Sequence, residues 1–194
     1  MNATSQNSIA LLIDADNASP DHLDEVLLVQ ARVSSMQLGF AMSFVPVNTE
    51  THAVVYEDEH LSVSSLPMRH RIPCAGYLFA EKPRRANLLK DKLPDGLTPV
   101  QLARLAQGEN LEADDQQPGL RHADVAGPVP VPRRYAFFSD TLYTPALADL
   151  IRGVDLLYHE ATFLEEMRDR AAQTHHSTAR QAAQIAEAAG AKRL

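Results

Sequence analysis

The sequence is nearly without cysteine and has no long apolar run, and each absence excludes a class of protein. Cys74 is the single cysteine among 194 residues, so the chain can form neither an internal disulfide framework nor a cysteine-based zinc finger. No stretch approaches the roughly 20 apolar residues that a membrane-spanning helix requires. The short run Ile9–Ile13 also lacks the basic flank of a signal peptide. We therefore expect a soluble, cytoplasmic protein with no membrane partner.

Positive charge is also scarce. Lysine and arginine number 18 against 25 aspartate and glutamate residues, which gives a net charge of −7. Because phosphate binding favours a positive field, this balance argues against a protein that holds nucleic acid over its whole surface. A local basic patch is still compatible with it. One basic, proline-bearing stretch holds Lys82, Arg84 and Arg85, and Lys90 follows closely.

The chain has room for one ordinary domain, although its pattern changes near residue 34. The opening residues predict a buried strand at Ile9–Ile13 and a helix that starts at Ser19–Pro20. Later segments alternate as strands of an antiparallel sheet do, and two apolar strands follow in the last sixty residues. These predicted strands are Ala53–Tyr56, Leu61–Leu66, Tyr77–Ala80, Tyr135–Phe138 and Val154–Tyr158.

Helix signals lie between and after these strands. The predicted segments are a short helix from Thr98–Pro99 to Gly108, a loop over 109–133, a helix from Thr144–Pro145 to Gly153, and a final helix from about Ser177 to Ala189. Ser177 is the expected N-cap of the final helix, and Gly190 is its expected stop. Together, the elements predict an α+β fold.

A carboxylate stands at the end of one predicted strand. Asp140 follows the apolar run Tyr135–Phe138, so its side chain should face the loops, where each carboxylate oxygen can hold a divalent cation. A turn or N-cap role before Thr141 is an open alternative, because aspartate is common in turns. Asp140 is therefore a candidate metal ligand.

Histidines supply the other candidate groups. His70, between two arginines at the end of an alternating strand, suits either a neutral metal ligand or a surface position. His159 and Glu160 follow a predicted strand, so one of them can orient a catalytic neighbour, or both can form a buried polar pair. His176 precedes the final helix, whose positive end favours a phosphate contact or a general acid; a purely structural role is the alternative. His175 has no predicted role.

These motifs together resemble one family. From about residue 36 to Leu194, the chain is similar to ribonuclease Z, the zinc-dependent tRNA 3′-processing endoribonuclease of the metallo-β-lactamase superfamily. The matching segments are Val47–Glu50, Tyr56–Asp58, Pro67–Tyr77, Ser139–Thr141, Val154–Phe163 and His176–Ala179. Chance is a poor explanation for so many matches in the same order.

The resemblance implies a partial metallo-β-lactamase-type β-sandwich flanked by helices, an incomplete αββα arrangement. It also implies a two-zinc site that hydrolyses a phosphodiester bond of precursor tRNA. By position, His70 would be a ligand of one zinc and Asp140 would bridge both. His176 would donate a proton to the leaving oxygen, supported by His159 and Glu160. The complete family member is expected to be a homodimer.

The basic stretch has a counterpart in the family. The excursion over residues 82–108 falls where the family places its tRNA-clasping arm. By that resemblance Lys82, Arg84, Arg85 and Lys90 would contact the substrate. A solvated basic loop is the alternative interpretation.

Most metal ligands of the family have no counterpart in this sequence. The His-x-His-x-Asp-His block of the family is absent, and of the ligands that two zincs need, His70 and Asp140 are present. We therefore expect no stable two-zinc centre in this chain by itself, and a fragment, truncated at both ends, that is inactive alone.

The opening residues resemble a different family. The segment Ile9–Pro20 is similar to the start of NYN-type, PIN-like nuclease domains, in which acidic residues at strand ends hold magnesium. Asp14 and Asp16 would correspond to that acidic start. The expected organisation is therefore a short NYN-like β-α segment, 1–33, and a partial ribonuclease Z domain, 34–194.

Three functions are compatible with the sequence. The favoured one is a partial, zinc-dependent ribonuclease Z, and the others are a non-catalytic module that binds tRNA or dimerises and a magnesium-dependent NYN-type nuclease. Zinc content separates the first two. Zinc-loaded protein that cleaves precursor tRNA fits the enzyme, whereas zinc-free protein that still binds tRNA fits the module.

Overall fold

The computed structural model describes residues 47–113 and 119–194. Its regular elements are β1 (Ala53–Glu57), β2 (Leu61–Pro67), β3 (Ala75–Glu81), α1 (Pro99–Ala106), α2 (His122–Val125), β4 (Arg134–Phe138), α3 (Leu147–Leu150), β5 (Leu156–His159), α4 (Arg168–Thr174) and α5 (Ala179–Ala189). Short 3₁₀ turns lie at Lys90–Lys92 and Glu165–Met167. The chain divides into two compact units. One contains the sheet with the C-terminal helices, and the other spans Glu81–Arg133.

The five described strands form a single sheet in the order β1-β2-β3-β4-β5. β1 pairs antiparallel with β2, and β3 with β4, whereas β4 and β5 run parallel. A parallel pair needs a crossover connection, which here contains α3. The five strands predicted between Ala53 and Tyr158 are found, the predicted strand Ile9–Ile13 lies outside the described residues, and the α+β fold is confirmed. β5 starts later than predicted because the Val154 N–H donates to the Ile151 carbonyl in the preceding turn. It ends at His159, which pairs with Phe138.

One face of the sheet carries the main hydrophobic core. Apolar side chains of four strands meet those of α3 and α5, and each fully buried one contributes about 1.5–3 kcal/mol relative to exposure. The alanine-rich side of α5 lets that helix lie close to the sheet. The central residues of this core are Leu66, Leu78, Phe138, Ile151, Leu157, Ile185 and Ala189.

Helix α5 begins one residue later than predicted. Thr178, not Ser177, is its N-cap, and it forms a capping box with Gln181. The Ser177 N–H donates to Glu160 instead, and the Ser177 hydroxyl donates to the Thr141 carbonyl, so the Ser177 side chain is directed to the loop after β4. Gly190 ends the helix with φ 65°, which confirms the predicted stop.

Two other expectations need correction, and one helix was not expected. The predicted cap at Thr144–Pro145 is wrong, because the Thr144 hydroxyl donates to the Leu142 carbonyl and α3 starts at Leu147 without a side-chain cap. The predicted loop 109–133 contains α2, and Leu111 pairs with Leu120. Helix α4 was not predicted, because Ala171 is its single buried residue and no apolar stripe marks it.

The Glu81–Arg133 unit has a small core of its own. Leu105, Leu111 and Val125 are buried in it, and α1 begins at the predicted capping box of Thr98. The two ends of the unit are paired. The Arg133 guanidinium donates to both Glu81 carboxylate oxygens at 2.7 and 3.2 Å, and this holds the pKa of Glu81 at about 2.

The NYN-like segment 1–33, with Asp14 and Asp16, lies outside the described residues, and the predicted domain division stays a prediction. Among residues 47–113 and 119–194, every helix is too short or too polar to span a lipid bilayer.

Candidate metal centre

Three predicted site residues meet at the ends of the sheet strands and the start of α5. His70 follows β2, Asp140 follows β4, and His176 lies between α4 and α5. One ligand atom of each lies within 4.8 Å of the other two, and among residues 47–113 and 119–194 this is the single group of its kind. His176 Nδ1 is 3.6 Å from Asp140 Oδ1. The His70 and His176 rings meet edge to face, with 5.0 Å between their centroids.

A backbone carbonyl orients His70. The His70 Nδ1 lies 3.0 Å from the carbonyl oxygen of His175, and because a carbonyl can only accept, Nδ1 carries the proton. Nε2 therefore keeps the lone pair that a metal needs. His175 ends α4 in the left-handed conformation, with φ 60°. The residue without a predicted role thus acts through its main chain.

Glu160 is a buried acceptor for several loops. Its Oε1 accepts from the Ser177 N–H at 2.8 Å and the Thr141 N–H at 3.3 Å, and its Oε2 accepts from the N–H and hydroxyl of Thr162, both at 2.9 Å. His176 Nδ1 lies 3.1 Å from Oε1. Because this carboxylate accepts there, the His176 proton sits on Nδ1 and the lone pair on Nε2.

The environment of His176 differs from the expected one, a helix N-terminus whose N–H groups can bind phosphate. The two backbone N–H groups before α5 already have acceptors within the chain. The Thr178 N–H donates to Gln181 Oε1, and the Ser177 N–H donates to Glu160. These N–H groups are consequently not aimed at a phosphate. The geometry also adds a task that sequence reasoning did not consider for His176, that of a third ligand beside His70 and Asp140.

The side chain of His159 is more deeply buried than those of the three converging residues. Its ring meets Phe138 edge to face, and its Nδ1 donates to the Glu160 carbonyl at 2.7 Å. Its Nε2 is buried and has no hydrogen-bond partner within the described part of the chain. Burial lowers the pKa of the His159 imidazole below its ordinary value of 6.5, because charging the ring would cost desolvation.

This burial predicts a pH dependence of stability. A folded-state pKa below the unfolded value means that protonation favours unfolding, so stability is complete above about pH 6.5 and falls as the pH drops further. The His159→Gln variant is expected to lose stability less steeply between pH 6.5 and 5, by at most about 1.4 kcal/mol per pH unit. Urea unfolding at several pH values measures this. The exposed His60→Gln control should keep the wild-type slope, and equal slopes for His159→Gln would contradict the assignment.

The converging residues fit one zinc ion. Catalytic zinc sites use three protein ligands with nitrogen or oxygen donors at about 2.0–2.2 Å, and one ligand atom of each of these three residues lies within 4.8 Å of the other two. Nitrogens of His70 and His176 with the carboxylate of Asp140 supply that number. The described residues form no second group for a further ion.

The basic stretch lies in the other compact unit. Arg84, Arg85 and Lys90 are exposed there, and Lys82 is half-buried. Arg84 also interacts with the charge of Glu81. Exposed guanidinium groups suit phosphate oxygens, and the assignment of these four residues to substrate binding stays a prediction.

Several curated relatives of this chain are named ribonuclease Z. No protein-family model matches the chain. The ribonuclease Z of Cytophaga hutchinsonii is 38% identical over 175 residues, which cover 90% of this chain and 56% of that protein. The ribonuclease Z of Parabacteroides distasonis is 43% identical over 158 residues, 81% of this chain and 52% of that protein. The ribonuclease Z of Porphyromonas gingivalis strain W83 is 44% identical over 149 residues, which cover 76% of this chain and 49% of that protein.

A solved structure agrees on the fold. The crystal structure of human tRNase Z, short form, matches with a TM-score of 0.51 and 18% identity, over 89% of this chain and 56% of that one. This confirms the expected partial metallo-β-lactamase-type architecture. The chain spans about half the length of the curated relatives it matches, and it belongs to the ribonuclease Z family.

Proposed function

We propose that this chain provides a zinc-binding part of a ribonuclease Z centre that hydrolyses a phosphodiester bond at the 3′ end of precursor tRNA. The observation that carries the proposal is the convergence of His70, Asp140 and His176 from three separate loops to within 4.8 Å. The names of the relatives support the substrate class. The chain's residues fit one zinc, so we expect the two-zinc centre of the family to need ligands beyond the described ones.

Different residues of the chain would bind the ion, transfer a proton and position the other groups. His70, through the lone pair on Nε2, and Asp140, through its carboxylate, would hold the ion, which when bound supplies Lewis-acid polarisation of a phosphate oxygen. His176 would donate a proton to the leaving oxygen from Nε2 when it is an imidazolium, because the hydrogen bond with Glu160 keeps the other proton on Nδ1. Glu160 acts as a positioning residue and His159 fixes the Glu160 carbonyl.

The proposal predicts zinc in the purified chain. We expect about one zinc per chain after dialysis against trace zinc, because His70 and Asp140 converge with His176 beside them, and retention of a precursor tRNA in a gel-shift assay. Cleavage of that tRNA by the zinc-loaded chain would show that the chain suffices alone. Zinc-free protein that binds tRNA would instead identify a non-catalytic module, and protein that binds neither would contradict the proposal.

Two variants distinguish a zinc ligand from a proton donor among the histidines of the centre. His70→Ala should lose zinc. His176→Ala should keep most of the zinc and lose proton transfer, whereas loss of zinc comparable to that of His70→Ala would assign His176 as the third ligand. The exposed His60→Ala variant is the matched control for a histidine outside the centre.

A further inference from the structure

We propose that Thr141 is a positioning residue that fastens the three loops of the metal centre to one another. Its side chain is fully buried, although it follows Asp140 in a loop and carries a polar hydroxyl. The consequence for metal binding rests on the proposed function. The loop fastening itself rests on hydrogen bonds within the chain and can be tested without metal.

The hydroxyl of Thr141 holds the loop that carries His70. Thr141 Oγ1 accepts from the Arg69 N–H at 3.1 Å and donates to the Leu142 carbonyl at 3.1 Å. The Leu142 N–H in turn donates to the Arg69 carbonyl at 2.7 Å. Both peptide groups of the residue before His70 are therefore bound to the loop after β4, across more than 70 positions of sequence.

The main chain of Thr141 holds the loop that carries His176. Its carbonyl accepts from the Ser177 hydroxyl at 2.7 Å. Its N–H donates to Glu160 Oε1 at 3.3 Å, the same oxygen that accepts from the Ser177 N–H. The residue after His176 is thereby bound to Thr141 twice, once directly and once through a shared carboxylate.

These contacts give each candidate ligand an immediate chain neighbour in the network. Arg69 precedes His70, Thr141 follows Asp140, and Ser177 follows His176. Buried polar groups that lose a partner are costly, so the network resists displacement of any one loop. Groups that orient metal ligands commonly change metal affinity about 10- to 100-fold when removed. Thr141 is the member that touches all three loops.

A pair of substitutions isolates the hydroxyl. Thr141→Val keeps the shape and removes both hydroxyl hydrogen bonds, whereas Thr141→Ser keeps them. Ser65→Ala is the control, because Ser65 is a buried hydroxyl that donates to the Thr51 and Ala53 carbonyls at the other side of the sheet. The probe ions are Zn²⁺ and Co²⁺, whose absorption spectrum reports ligand geometry.

The first measurement is amide hydrogen exchange of metal-free protein by NMR. The Arg69 N–H, which belongs to an exposed residue, should be protected in the wild type. Its exchange should accelerate about tenfold in Thr141→Val, as the loss of one hydrogen bond predicts, and should be unchanged in Thr141→Ser and Ser65→Ala. An unprotected Arg69 amide in the wild type would overturn the proposal even if the valine variant does not fold.

The second measurement is cation affinity by chelator competition. Thr141→Val should bind Zn²⁺ about 10- to 100-fold more weakly with an altered Co²⁺ spectrum, and Thr141→Ser should restore both. Wild-type affinity and spectrum in a folded Thr141→Val variant would overturn the proposal. If the wild type binds no cation but the exchange of the Arg69 amide responds as expected, the proposed metal centre is contradicted. The role of Thr141 in holding the three loops together is then still supported.

Discussion

The Asp140→Asn variant is expected to bind zinc at least about 100-fold more weakly than the wild type, beyond the range typical of groups that merely orient ligands. Asp140 is the single carboxylate of the converging group, so the substitution removes the anionic charge that opposes the charge of the ion. The amide that replaces it is neutral, and half of its polar atoms are donors. Competition with a chromophoric chelator measures the affinity, and circular dichroism checks that the fold is kept.

A second aspartate provides the control for this experiment. Asp149 lies exposed on α3 and pairs with Arg152, so Asp149→Asn makes the same chemical change away from the centre. Its zinc affinity should match that of the wild type. Retention of wild-type affinity by Asp140→Asn would remove Asp140 from the ligand set and contradict the proposed zinc site, because even with His176 counted fewer than three ligands would remain.

The Glu160→Gln variant should lose about 3 kcal/mol of unfolding free energy, because buried hydrogen bonds to a carboxylate each contribute about 1.5–3 kcal/mol. The glutamine amide presents N–H donors where Ser177, Thr141 and Thr162 also donate. At least one buried donor then has no acceptor. For a chain of this size the midpoint of thermal unfolding should fall by about 6–12 °C. Urea titration and calorimetry measure the two quantities.

The control for this loss lies on a neighbouring turn. Glu166 is exposed, and Glu166→Gln should change stability by less than about 0.5 kcal/mol, as surface substitutions usually do. A Glu160→Gln variant as stable as Glu166→Gln would mean that the hydrogen bonds around Glu160 contribute little.

Local sequence signals were sufficient for most of the sheet. Alternation in Leu61–Leu66 and the apolar run Tyr135–Phe138 predict strands because side chains on opposite faces of a strand meet different environments. Gly190 predicts the end of α5, since the left-handed conformation there favours glycine. Helix α4 carried no such signal, because burial of Ala171 alone leaves no pattern in the sequence.

The site could be predicted in part. His70, Asp140 and His176 are candidates because each follows or precedes a regular element, where side chains reach the loops, and the resemblance to ribonuclease Z implies their roles. Their partners are not recognisable from spacing. The carbonyl that orients His70 lies 105 positions away, and the displacement of the α5 cap by one residue depends on what Ser177 binds. Such choices depend on which loops the fold brings together, and no local pattern encodes them.

The two adjacent histidines before α5 divide their contributions between main chain and side chain. His175 adopts φ 60°, a conformation that costs a residue other than glycine about 1–2 kcal/mol, and its carbonyl accepts from His70. A glycine there would relieve this cost and leave the carbonyl in place. Substitution scans compare side chains and would therefore record position 175 as freely exchangeable, although its peptide group selects the nitrogen that His70 offers to a metal.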